Sequence, residues 1–154
     1  MSNQQRGFTL VEMMVVIMIL AVMMTIATQV WQDLREKNRV ESAAEEIQSV
    51  LSASRVRALT TGSSQAVVFD FANDKVTSPL WSAARDYSKD KIDLVAYAIS
   101  TCSESTSTDK TVTFTSRGTA TASTVEVKSV GTQSVRYLTV NGVTGRVSMA
   151  KKCP

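Results

Sequence analysis

The residues with chemistry to offer are few: two cysteines, a scatter of aspartates, a glycine near the start and one glutamate set among apolar neighbours. Histidine is absent. That removes the usual general base, the imidazole metal ligand and the proton shuttle, and it excludes a Ser-His-Asp triad or a histidine-containing zinc site. Cys102 and Cys153 are too few and too far apart for a zinc cluster or a CxxC redox pair. Asp70, Asp86, Asp90 and Asp93 carry carboxylates, yet no two of them share a setting that would make one an acid and the other a base. No catalytic residue, metal or cofactor is expected, and an enzyme is the least favoured class.

The glutamate says more. Glu12 is followed by no charged residue until Asp33, and Met13–Thr28 is nearly all apolar. A carboxylate in such a run costs several kcal/mol in hydrocarbon unless it is paired or neutralised. Ahead of it stands GFTLVE (Gly7 to Glu12), preceded by the short polar leader MSNQQRG with Arg6 as its only charge. A secretory signal would place its apolar core before the cleavage site; here the core follows Gly7. Cleavage after Gly7, whose missing Cβ leaves the backbone unhindered, would keep the apolar segment on the mature chain. It would also create an amino terminus on Phe8, four residues from Glu12. Pairing within one helix is awkward at that spacing, but the amine of a neighbouring chain could reach the carboxylate. Glu12 would then favour lateral assembly at a fixed axial offset.

The elements that position these residues follow from period and breaks. No Gly or Pro occurs from Phe8 to Thr61, so one helix of about 50 residues, ~75 Å long, is expected. Residues 8–30 are expected to cross a bilayer, with Arg6 on the cytoplasmic side by the positive-inside rule. Trp31 would sit at the interface or touch the folded domain. In the amphipathic half, 31–61, Leu34, Val40, Ala44, Ile47, Leu51 and Ala58, with Val30 just ahead of it, form an apolar stripe opposite Asp33, Arg35, Glu36, Arg39, Glu45 and Glu46. Gly62 is the natural stop. From 62 to 154 the period becomes two. Strands are expected at Gln65–Phe71, Lys91–Ser100, Lys110–Thr115, Thr124–Val130, Ser134–Val140 and Arg146–Ala150. Asn141-Gly142 with Gly145 predicts a hairpin between the last two. Thr101–Asp109 reads as a Ser/Thr-rich loop held by Cys102. If this domain lies outside the cytoplasm, one Cys102–Cys153 disulfide is expected, closing about 50 residues and stabilising the fold by ~4 kcal/mol.

GFTLVE with a long apolar helix resembles the class III signal of type IV pilins and type II secretion pseudopilins. The resemblance implies that a prepilin peptidase cuts between Gly7 and Phe8 and N-methylates Phe8, and that Glu12 guides assembly. The order of long helix, Ser54–Gly62, the strand VVFDF and the closing Gly145-Arg146-Val147 is similar to the GspH/FimT group, the minor pseudopilins and FimU/FimT-type minor pilins. It implies an α+β fold: a long N-terminal helix on a C-terminal antiparallel β-sandwich-like domain. Many major pilins bend the membrane half with a proline at the position of Gln29 here. This chain's prolines are Pro79 and Pro154, a departure that points to a minor subunit.

Two functions follow. The first is a structural subunit of a tip or priming complex in a type IV pilus or type II secretion pseudopilus. It would be stored as a single-pass inner-membrane protein with a periplasmic domain, and its partners would be other pilin-like subunits and the prepilin peptidase. The second is DNA capture through a basic C-terminal end made of Arg146, Lys151 and Lys152. Some FimT-type proteins carry Gly-Arg-x-Arg there; this chain has Gly145-Arg146-Val147-Ser148 and lacks the second arginine. Net charge is only +3, with Lys and Arg scattered among acids. Three cations support weak, salt-sensitive phosphate binding at most, so the structural reading is favoured.

Overall fold

The computed structural model describes residues 8–98, 103–105, 107–131 and 133–152, without the side chains of residues 26–30 and 98. Helix α1 runs Leu10–Thr61, within two residues of the expected start and at the expected end. Thr9 caps it: its Oγ1 accepts the Glu12 N–H at 3.3 Å, and its carbonyl accepts the Met13 N–H. Thr9 and Glu12 therefore stand in capping-box spacing, with the acid suited to the positive end of the helix dipole. At the other end Gly62 takes φ +66, the left-handed conformation of a helix stop.

The chain forms two compact units, one up to Arg35 and one from Glu36. In the first, the apolar side chains from Phe8 to Met24 are 45–78% exposed on every side of the helix. Among the described residues no helix is long and apolar enough to cross a membrane; the side chains of residues 26–30, within the expected span, lie outside the description. Trp31 is 63% exposed.

In the second unit the helix is one-sided. Val40, Ala43, Ala44, Ile47, Val50, Leu51, Ser54 and Ala58 are buried, a three- and four-residue recurrence that lines a single face. The expected stripe began too early: Leu34 is exposed, and burial starts at Val40. Alanines at 43, 44 and 58 let the backbone come close to the strands.

All six expected strands form, as β1 (Gln65–Asp70), β4 (Ile92–Ala98), β6 (Asp109–Phe114), β7 (Ser123–Ser129), β8 (Val135–Val140) and β9 (Val147–Ala150). Three short ones complete them: β2 (Lys75–Thr77), β3 (Arg85–Asp86) and β5 (Ser103–Glu104). Among the described residues all pairings are antiparallel and make two sheets, β3-β2-β1-β6 and β5-β4-β7-β8-β9. Alternate residues (Val67 and Phe69 in β1, Val112 and Phe114 in β6, Leu94 in β4, Val125 and Val127 in β7, Leu138 and Val140 in β8) join the buried helix face in one core. Asp74, at φ +51 in the β1–β2 turn, ties the sheets together: its Oδ1 accepts the Leu94 N–H at 2.9 Å.

Two expectations change in detail. Ser103 and Glu104, placed in a loop, pair with Ala98 and Tyr97. The β8–β9 hairpin forms where Asn141-Gly142 predicted it, but the left-handed residue is Gly145, at φ +60. A Cβ there would collide with the Gly118 carbonyl and meet Arg55 Nε at 3.1 Å. Asn141 Oδ1 accepts the N–H groups of Val143 and Thr144, which holds the loop.

Candidate functional site

The N-terminal constellation is partly described. Gly7 lies outside the described residues, while Phe8 is 76% exposed. Glu12 is exposed, and among the described residues its carboxylate has no partner. Its helix neighbours three and four residues away are Val15, Val16, Thr9 and Phe8. A single carboxylate thus stands on an apolar surface, next to the residue that would carry a new amino terminus. Thr9 escaped the sequence reading although Thr-x-x-Glu at Thr9–Glu12 is a legible capping signal. Cys102 and Cys153 lie outside the described residues.

The aspartates do structural work. Asp70 accepts the Asn73 side-chain amide at 2.8 Å and the N–H groups of Ala72 and Asn73; the Asn73 bonds hold its carboxyl below the usual range. Asp86 accepts the Ser88 hydroxyl at 2.6 Å, which likewise lowers it. Asp93 pairs with Lys128 at 3.3 Å, and Asp90 lies exposed in the turn Ser88–Asp90. Asp93 also lies against Asp74, whose carboxyl is raised by burial first and then by its charge interaction and hydrogen bond with Asp93.

The three basic residues of the C-terminal end flank β9. Arg146 precedes β9 and Lys151 and Lys152 follow it, so a strand rise of ~3.3 Å per residue sets Arg146 and Lys151 roughly 16 Å apart. Lys151 instead joins Lys37 of α1 and Arg136 of β8 around a groove of about 380 Å³ with Gln133, Ser134 and Val135. Arg136 is fixed there: its Nη1 donates to the Val135 carbonyl at 2.9 Å, and its Nη2 pairs with Glu41 of α1.

The outer face of the second sheet carries a buried acid. Glu126 is 6% exposed, with Tyr97 and Tyr137 in edge contact, ring centroids 5.3 Å apart, on the two flanking strands. The Tyr137 hydroxyl donates to Glu126 Oε1 at 3.4 Å, and Oε2 has no hydrogen-bond partner among the described residues. Burial pushes the Glu126 carboxyl up and takes the Tyr137 phenol to about 12.

Comparison with known proteins matches residues 2–28 to the prokaryotic N-terminal methylation motif and residues 43–145 to the type II transport protein GspH. No curated protein sequence matches the chain. Among solved structures, the type IV minor pilin FimU of Pseudomonas aeruginosa PAO1 is similar at 19% identity and a TM-score of 0.53, covering 77% of this chain and 98% of its own. The minor pseudopilin EpsH from the type 2 secretion system of Vibrio cholerae is similar at 12% identity and a TM-score of 0.57, covering 73% and 97%. At such identities the likeness is one of fold.

Proposed function

Since the chain belongs to the GspH family of type II transport proteins, we propose that it is a minor pilin or pseudopilin subunit of a tip or priming complex. In this reading it is held in the inner membrane until assembly. The observation that carries it is the contrast along α1: exposed apolar side chains from Phe8 to Met24, one buried face from Val40 to Ala58. Exposed apolar area of that kind is unfavourable in water and needs lipid or other helices around it.

In this reading Arg6 keeps the leader cytoplasmic, peptidase cleavage after Gly7 frees the Phe8 amine, and methylation follows there. Glu12, unpaired among the described residues, takes the amine of an adjoining subunit as its partner. The membrane-facing segment then exchanges lipid for the helices of neighbours, and the β domain, on the periplasmic side, presents its faces to them. No step calls for catalysis by this chain.

The test is fractionation of sheared filaments and membrane assemblies with antibody to the chain. The expected result is a substoichiometric band alongside other pilin-like subunits. Its consistent absence from every such assembly would end the proposal. DNA capture gains nothing from the geometry, because β9 separates Arg146 from Lys151 and Lys152.

A further inference from the structure

We infer that the groove walled by Lys37, Arg136 and Lys151 is a docking site for an acidic peptide segment of a neighbouring subunit; this rests on the assembly reading above. The groove lies wholly within the second unit and draws its cations from the helix, from β8 and from the residue after β9. Among the described residues neither Lys37 nor Lys151 has a carboxylate partner, whereas Arg85 pairs with Glu46 and Lys128 with Asp93 and Glu104. Glu41, one helix turn from Lys37, is committed to Arg136. Neither lysine is held in an ion pair among the described residues.

Arg136 gives the site a rigid wall. Its guanidinium is held by Glu41 and by its own strand's carbonyl, and its Nε, shielded from solvent, has no acceptor among the described residues. The side chains of Gln133 and Ser134 have no hydrogen bonds among the described residues and add neutral donors at the rim. A carboxylate, with one charge and two acceptor oxygens, suits two lysines and these donors. A nucleic-acid backbone asks for a longer track of cations, and Arg146 lies away at the far end of β9.

The experiment uses the full chain in non-ionic detergent and fluorescein-labelled hexaglutamate at low ionic strength, read by anisotropy. Saturable binding is expected, weakened about tenfold or more by Lys37→Glu with Lys151→Glu and changed less than about twofold by Lys89→Glu with Arg117→Glu. No saturable binding, or equal loss in both pairs, overturns the inference. So does displacement of the peptide by a short oligonucleotide at equal or lower concentration, which would mark a phosphate site. Filament fractionation is read separately: a chain that enters assemblies but ignores hexaglutamate loses only this docking site.

Discussion

Glu12 and Glu126 are two carboxylates in unfavourable settings, and each has a measurable consequence. Glu12 stands on an apolar helix surface, with its expected partner in another chain. Replacing it with leucine removes the cost of an unpaired acid in hydrocarbon. Glu12→Leu should therefore accumulate normally in the membrane yet fall about tenfold or more in filament fractions, the size expected when several kcal/mol of pairing is lost. Normal incorporation would remove Glu12 from the assembly mechanism. Glu126 is raised by burial, so the folded state keeps a proton that the unfolded chain releases near pH ~4.3. Its contribution to stability is thus greatest at low pH and declines as pH rises from that value through the raised folded pKa, then levels off. Asp93 of β4, Glu104 of β5, Lys128 of β7 and Tyr97 and Tyr137 surround it. Urea unfolding across this range should show the decline in the parent chain and a flatter profile in Glu126→Gln. Parallel profiles would refute the assignment.

Among the elements, α1 is anchored at its packed end by the Arg136–Glu41 pair between helix and β8. Both side chains are partly shielded, so removing one partner strands the other; Glu41→Ala should cost about 1–3 kcal/mol in urea unfolding. The β8–β9 loop makes a second demand. Gly145→Ala forces a side chain into positive φ and against the Gly118 carbonyl, and should cost about 1–3 kcal/mol or more. A neutral result at either position would show that the contact contributes little. The same elements explain what could be read from sequence. The helix limits were legible because Gly62 and an uninterrupted run marked them, and six strands were long enough to show a period of two. β2, β3 and β5 have two or three residues each and no period to detect. Leu34 looked like core because spacing alone cannot say where a helix meets its sheets. Glu12 was legible as a charge in an apolar run. The groove was not, since Lys37, Arg136 and Lys151 come together only through the fold.

At the scale of the whole molecule, a helix with an exposed apolar first unit joins an antiparallel β domain whose core is closed by the second part of the same helix. The fold uses Asp70 and Asp86 to hold turns and Asp93 in an ion pair with Lys128. In the proposed reading its function lies in being placed among neighbours, which requires the Phe8 amine to exist. Intact-mass and N-terminal peptide analysis of the membrane form tests this most directly. The account predicts a chain lacking Met1–Gly7 and beginning at Phe8 with one added methyl group. A chain that keeps its leader, or starts at any other residue, would contradict it.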